Sequence, residues 1–192
     1  MSTEYEATFY PIDIPSIQEK LKQLWYVCIQ PEYLQTRATF SLPSSLDLKW
    51  WFARVRVEAD RTTLSIKQFL RNADIYAQKE CELVIDDYET WKTFLKTLWC
   101  LQKAIQKNKR ELWKKDDIYI MIDQRPFIQP LLEIEWLDVV TVKRASSELW
   151  YAREEAIFDS VTEIYARVYN ISHEQINNQT PNIEFDMQNP FL

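Results

Sequence analysis

Apolar and polar residues alternate along much of the chain, and this two-residue period predicts β-strands. The predicted strands cover residues 3–10, 33–42, 51–58, 62–69, 78–85, 103–113, 117–123 and 130–136. Helical spacing of apolar residues predicts helices from Asp13 to Trp25, from Asp86 or Asp87 to Trp99, over 138–150, over 152–169, and briefly after Ser172. Strands and helices do not alternate regularly, so the pattern predicts an α+β fold with antiparallel pairing.

Charged residues occupy every second position in several predicted strands, and therefore share one face of the sheet. Many of them form doublets of one sign. The residues on this face include Glu4, Glu6, Arg54, Arg56, Lys67, Glu80, Glu82, Arg110, Asp123, Glu133 and Glu135. A one-sided sheet whose polar face meets water is the ordinary explanation. Same-sign doublets repel each other, however, and are easier to explain if each faces a ligand of opposite charge.

The two kinds of doublet suggest the chemistry of that ligand. Carboxylates suit hard cations such as Mg²⁺ or Mn²⁺, which prefer oxygen ligands. Arginine guanidinium groups suit phosphate oxygens, which they can bind through two parallel hydrogen bonds. Both kinds on one face predict a site for a polyphosphate together with a divalent metal.

Composition narrows the function classes further. The formal net charge of −6 argues against nucleic-acid binding. The lone histidine, His173, disfavours histidine-based catalysis, and three widely spaced cysteines predict buried free thiols rather than a disulfide framework. Neither a membrane span nor a signal peptide is predicted, so we expect a cytoplasmic protein. One domain is expected over 1–192, with a core at about 3–169 and a C-terminal helix and tail at 170–192.

The chain has no glycine and eight tryptophans. Several tryptophans end helical patterns or lie in predicted turns, where glycine is usually found. We therefore hypothesise that six of them stand in for glycine, namely Trp25, Trp50, Trp51, Trp99, Trp136 and Trp150. A UGA codon that the organism decodes as glycine would produce this pattern. Deliberate removal of glycine, or an unusual sequence that builds its turns from other residues, would look similar.

The order of the charged motifs resembles the CYTH family, the triphosphate tunnel metalloenzymes. The segment EYEATF at residues 4–9 resembles the family's E-x-E-x-K motif, and FARVR at 52–56 resembles its L-R-I-R strand. LSIK at 64–67, KECELVI at 79–85, NKREL at 108–112, IYIMID at 118–123 and LLEIE at 131–135 follow in the family's order. The resemblance extends from residue 3 to about 165. It implies an antiparallel eight-stranded tunnel barrel with helices packed outside.

The resemblance also implies roles for individual residues. Divalent metal, Mg²⁺ or Mn²⁺, would be held by Glu4, Glu6, Glu133 and Glu135, with Glu82 and Asp123 as further candidates. Phosphate oxygens would be held by Arg54, Arg56, Lys67 and Arg110. The catalytic residues implied are Glu4, Glu6 and Glu135.

The lysine that closes the family motif is replaced by Thr8 in this chain. A metal-dependent triphosphate phosphohydrolase is the function we favour. A class IV-type adenylate cyclase and a non-catalytic nucleotide- or polyphosphate-binding protein remain alternatives. The expected partner is a small-molecule triphosphate or nucleotide, not nucleic acid or a membrane. A homodimer remains one alternative for the oligomeric state.

Overall fold

The computed structural model describes residues 1–46, 48, 50–70, 76–136, 138–158 and 160–192. It does not describe the side chains of Ser2, Glu4, Leu70, Tyr76, Ala77 and Arg153.

The described residues form the strands β1 (Ser2–Phe9), β2 (Val27–Ser41), β3 (Trp51–Val57), β4 (Thr62–Leu70), β5 (Tyr76–Ile85), β6 (Leu101–Lys115), β7 (Ile118–Gln124), β8 (Leu131–Trp136) and β9 (Asn182–Ile183). They also form the α-helices α1 (Ile14–Gln23), α2 (Tyr88–Thr97), α3 (Val139–Glu148), α4 (Val161–Tyr169) and α5 (His173–Asn178). Short 3₁₀ turns cover Ser44–Leu46 and Arg153–Glu155. In the described ranges, no helix has the length and apolar character that a membrane span requires.

Strands β1 to β8 form an antiparallel ring. Their order is β2-β3-β4-β5-β1-β8-β7-β6, and β2 also pairs with β6, so that the two ends of the order meet. The short strand β9 adds in parallel to β6. The ring and the outer helices confirm the predicted α+β tunnel fold.

Apolar side chains point outward from the ring, and helices cover two groups of them. On one side, α1 and α3 pack over β1, β7 and β8 through a cluster that includes Phe9, Leu21, Ile120, Ile134 and Val142. On the other, α2 covers β2 and β3 through Phe40, Val55 and Leu95. The side chains that alternate with these along each strand point into the ring. The apolar core therefore lies outside the tunnel, and the polar residues lie inside it.

The helices leave part of the outer surface of the ring uncovered, and the prediction of buried cysteines is wrong in part. The outward-facing Leu83 is 57% exposed and Ile66 is 38% exposed, because no helix packs over this part of β4 and β5 among the described residues. All three cysteines are free, as predicted, but only Cys100 is buried, whereas Cys28 is half-buried and Cys81 is exposed.

Helix starts follow the predicted capping chemistry. Asp13, Asp87 and Asp138 are N-caps whose side chains accept hydrogen bonds from the backbone amide three residues later. Ser172 and Gln175 form the predicted capping box of α5.

The ends of three helices explain an unusual feature of the sequence. Trp25, Trp99 and Trp150 follow α1, α2 and α3 with φ angles of 66°, 59° and 70°, and Trp50 has φ of 70° in the turn before β3. This left-handed region favours glycine, because a Cβ atom is crowded there. Four of the six tryptophans in our hypothesis therefore occupy glycine-type backbone positions. Trp51 and Trp136 do not, since both lie in strands without positive φ.

Candidate functional site

The inner face of the ring encloses a cavity of about 610 Å³. Charged residues from five different strands line it, among them Arg54, Arg56, Lys67, Glu80, Glu82, Arg110 and Glu135. Of the residues predicted to face inward, these seven surround one space because the register of the ring places their strands side by side. Glu4 lies in β1, but its side chain is outside the described part of the structure.

Three glutamates of β1 and β8 form what we call the acidic wall: Glu6, Glu133 and Glu135. The β1–β8 register places Glu6 opposite Glu135 and Thr8 opposite Glu133. Burial, together with the charges of Glu133 and Glu135, raises the pKa of Glu6 to about 8. Burial also raises the pKa of Glu135. The acidic wall thus holds carboxylates that would be difficult to ionise together without added positive charge.

Within this wall Glu133 pairs with Arg110 and Arg125, whereas Glu6 and Glu135 have no ion pair among the described residues. Glu6 accepts hydrogen bonds from the hydroxyl of Thr8 at 3.2 Å and the amide of Gln78 at 3.4 Å. Glu135 lines the cavity, and no hydrogen bond or ion pair from any described residue reaches its carboxylate. Its oxygens are therefore directed at the space that a ligand would fill.

Five residues of β3, β4 and β5 that line the cavity form what we call the paired wall: Arg54, Arg56, Lys67, Glu80 and Glu82. Glu80 accepts from Arg54 at 3.2 Å and from Lys67 at 2.6 Å. Burial alone would raise the pKa of Glu80, but Arg54 and Lys67 outweigh it and hold the pKa at about 2. Burial and the neighbouring Arg56 lower the pKa of Arg54 to about 10. This wall is a network of charge-assisted hydrogen bonds that fixes its cations in place.

The predicted metal candidate Glu82 belongs to this network. Its carboxylate lies 3.3 Å from Arg56 and 3.8 Å from Arg54. Arg56 also pairs with Glu58 near the cavity mouth. Glu82 therefore orients guanidinium groups in this structure.

Side-chain hydrogen bonds and ion pairs link a third group, which we call the inner cluster: Arg37, Asn108, Arg110, Asp123 and Arg125. Arg110 of this cluster lines the cavity. Arg110 binds both oxygens of Asp123 at 2.7 Å and reaches Glu133 at 2.6 Å. Burial alone would lower the pKa of Arg110, but Asp123 and Glu133 raise it above its ordinary value. Asp123, the other predicted metal candidate, is fully buried and also pairs with Arg125 at 3.2 Å.

The sequence alone assigned no binding role to three charged residues of this site: Arg37, Glu80 and Arg125. Arg37 continues the two-residue period of Tyr33 and Gln35 along β2, so the alternation contained a signal for it. Glu80 and Glu82 form an E-x-E doublet, and the alternation predicts that both side chains lie on the charged face. Arg125 follows the last residue of β7 and has no periodic signal.

A hard cation would suit the oxygen donors of the acidic wall. Glu135 faces the cavity without a protein partner, and the raised pKa values of Glu6 and Glu135 show a need for positive charge. The described side chains nevertheless contain no group of three or more acidic, histidine or cysteine residues arranged to hold a metal ion. The carboxylate oxygens of Glu6 and Glu135 are donors of the kind that Mg²⁺ or Mn²⁺ prefers. The side chain of Glu4, the neighbouring acidic residue of β1, is not among the described side chains.

Several solved structures have a fold similar to that of this chain. A conserved hypothetical protein from Pyrococcus furiosus is 18% identical with a TM-score of 0.69, over 82% of this chain and 96% of that chain. A Vibrio parahaemolyticus protein proposed to be an adenylate cyclase is 11% identical with a TM-score of 0.73, over 86% and 98% of the two chains.

A proposed adenylyl cyclase from Hippeastrum, described as having a dominant triphosphatase activity, is 12% identical with a TM-score of 0.57. The match covers 90% of this chain and 97% of the Hippeastrum chain. No protein-family model and no curated protein sequence matches the chain. At these identities the likeness establishes the fold, and the predicted CYTH-type architecture is confirmed.

Proposed function

We propose that the protein is a divalent-metal-dependent phosphohydrolase that acts on a triphosphate-containing small molecule. The observation that supports this most is the cavity itself, where the free carboxylate of Glu135 faces the fixed cations Arg54, Lys67 and Arg110. Neither a water-facing sheet nor a simple anion-binding pocket explains that combination. A metal–triphosphate complex carries both charges that the cavity complements.

The cations would bind and orient the phosphate chain. Arg54 and Lys67 are held by Glu80, and Arg110 is held by Asp123, so little side-chain freedom remains to be lost when an anion binds. Arg56 lies nearer the mouth and is paired with Glu58 and Glu82. Fixed cations of this kind stabilise the negative charge that develops on transferred phosphoryl oxygens.

The acidic wall would hold the metal through Glu6 and Glu135, joined by Glu4. When bound, a divalent cation polarises the phosphoryl group and favours ionisation of an attacking water. We leave Glu82, Asp123 and Glu133 out of this proposed ligand set, because arginines of the protein already pair with each of them. In the absence of metal, the pKa of about 8 lets Glu6 hold a proton on its carboxyl oxygen near neutral pH, and Glu6 would release this proton when it binds the metal.

The Hippeastrum protein supports hydrolysis over cyclisation, because its dominant activity is triphosphatase although it was proposed as a cyclase. A cyclase must also recognise adenine and align a ribose hydroxyl, and we assign no residue to either task. We propose a cytoplasmic location on the sequence evidence alone.

Thr8 favours a second candidate, a non-catalytic protein that binds nucleotides or polyphosphates. Its side chain is buried and bonded to Glu6, so the position supplies no cation. Thr8→Lys separates the two candidates. For an enzyme limited by this missing cation, we expect turnover to rise by about tenfold. A binding protein would gain triphosphate affinity without gaining turnover.

The proposed activity is tested by measuring phosphate and cyclic-nucleotide release from inorganic triphosphate, thiamine triphosphate and ATP. Each substrate is assayed with Mg²⁺, with Mn²⁺ and with EDTA. Metal-dependent phosphate release supports the phosphohydrolase, and cyclic-nucleotide release would replace it with the cyclase. Binding of triphosphate without any product would leave the binding protein as the function.

A further inference from the structure

The inner cluster has more positive than negative charge. Three guanidinium groups, those of Arg37, Arg110 and Arg125, lie around the carboxylates of Asp123 and Glu133. Arg110 and Arg125 pair with both carboxylates. Within the described ranges Arg37 forms no ion pair, so one buried positive charge lacks a counter-charge among these residues.

Arg37 is placed at an energetic cost. Only 9% of the residue is exposed, and no described residue is a hydrogen-bond partner of its Nε atom. Its side chain donates a hydrogen bond to the amide oxygen of Asn108 at 2.9 Å. Burial, followed by the nearby Arg125 and Arg54, lowers the pKa of Arg37 well below its ordinary value. A buried charge is destabilising unless it is paired, so a missing anion is indicated.

Hydrogen bonds link Arg37 to the cavity. Asn108 accepts from Arg37 and donates to Gln35 at 3.1 Å, and Gln35 lines the cavity beside Arg110. Behind Arg37 and Arg125 lies Tyr165 of α4, which is buried and donates to the backbone oxygen of Pro126. The inner cluster therefore meets the cavity on one side and packed protein on the other.

We propose that the inner cluster is a subsite for the terminal phosphoryl group of the substrate, a step that rests on the proposed function. Arg110 contacts the phosphoryl oxygens, while Arg37 and Arg125 are positioning residues that supply the excess positive charge. The substrate then enters with its free phosphate end first, and any organic group stays toward the mouth near Ile29 and Arg61. The substrate class is a linear phosphate chain with one unsubstituted end.

The subsite is tested by titrating Arg37→Gln and Arg37→Lys with a triphosphate analogue in the presence of Mg²⁺. The analogue has NH groups in place of its bridging oxygens, so that it resists hydrolysis. Arg37→Gln keeps a donor for Asn108 but removes the charge, and we expect about tenfold weaker binding. Arg37→Lys keeps the charge and should bind within about threefold of the unchanged protein.

Thermal unfolding without ligand gives the second measurement. Removing an unpaired buried charge should leave the melting temperature of Arg37→Gln equal or higher. Unchanged affinity of that variant, equal losses in both variants, or a folded Arg37→Lys beside an unfolded Arg37→Gln would overturn the subsite. Turnover by the unchanged protein is measured separately. If that protein shows no turnover but Arg37→Gln still binds the analogue more weakly, only the proposed function is refuted and the subsite stands.

The left-handed tryptophans support a second, independent inference. We infer that the natural residue at 25, 50, 99 and 150 is glycine, encoded by UGA and decoded as glycine by the organism. Trp25 and Trp99 are each 83% exposed, which is unusual for the largest apolar side chain at a strained backbone position. By contrast, Trp113 is buried in the core and Trp91 packs against Phe94.

Codons test this inference directly. We expect UGA at the four left-handed positions and UGG at Trp91 and Trp113, and UGG at the four would overturn it. Stability provides the matched comparison. Trp99→Gly should raise the melting temperature by about 2–8 °C, because glycine relieves the left-handed strain, whereas Trp99→Ala keeps a Cβ atom and should not. Equal effects of the two substitutions would also contradict it.

Discussion

Glu6 and Glu80 both lie on the inner face of the ring, yet their surroundings drive their pKa values in opposite directions. Glu6 in the acidic wall has neighbouring carboxylates and a pKa of about 8. Glu80 in the paired wall has Arg54 and Lys67 within hydrogen-bond distance and a pKa of about 2. One wall is complete without a ligand, whereas the other needs positive charge from outside the protein. This difference suggests that the paired wall provides a rigid phosphate site and the acidic wall recruits metal.

The largest expected effect is on turnover, through Glu135→Gln. This substitution removes a charge from the acidic wall while keeping the shape of the side chain. If Glu135 helps to hold the metal, turnover with Mg²⁺ or Mn²⁺ should fall by about 10²-fold. Folding should change little, because no described residue pairs with Glu135. A metal titration that matches the unchanged protein would remove Glu135 from the site.

The next prediction compares stability after the same substitution in each wall. Glu80→Gln leaves Arg54 and Lys67 with unmatched buried charge, so the free energy of unfolding should fall by about 3 kcal/mol. Glu6→Gln at pH 7 should change it by less than about 1 kcal/mol, because Glu6 is already largely protonated there. Urea unfolding in EDTA measures both. Equal losses in the two variants would abolish the distinction between the walls.

The pH dependence of stability provides a third comparison of the walls. The raised pKa of Glu6 means that the folded protein keeps a proton that the unfolded chain releases above about 4.5. Its contribution to stability therefore declines as the pH rises from about 4.5 to about 8. Glu80 behaves oppositely, because its pKa of about 2 makes its contribution complete above 4.5 and lost as the pH falls toward 2.

Glu6→Gln is the variant that checks the alkaline side. Each titrating group can change the free energy of unfolding by up to about 1.4 kcal/mol per pH unit. We measure the free energy of unfolding in EDTA at several pH values between 5 and 8. It should therefore depend less steeply on pH in Glu6→Gln than in the unchanged protein. The same slope in both proteins would mean that Glu6 ionises normally.

Much of the fold could be predicted because the two-residue period was unbroken in most strands. It failed at the start of β2, which begins at Val27 rather than at residue 33. The β2–β6 register shifts between Cys28 and Gln30 and between Gln30 and Tyr33, so the period breaks there. The predicted helix over 152–169 is also too long, since α4 begins at Val161.

Tertiary contacts explain that second error. The amide of Ile157 donates to the backbone oxygen of Thr8 and so draws this segment onto β1 instead of into a helix. The same kind of long-range contact limited the prediction of the site. Alternation identified which residues face inward, but ring closure through β2 and β6 decides that Arg37 meets Asn108, 71 positions further along the chain.

The smallest effect we predict concerns Arg56, at the mouth end of the paired wall. Its partners Glu58 and Glu82 would remain, so Arg56→Gln should bind triphosphate about three- to tenfold more weakly without losing metal dependence. Arg61→Gln is the matched control, because Arg61 shares Glu58 at 3.5 Å but is 48% exposed and should contribute less. Titration with inorganic triphosphate compares them. If both variants lose equal affinity, Arg56 acts only through the general charge of the mouth, and the paired wall holds the phosphate chain through its deeper cations alone.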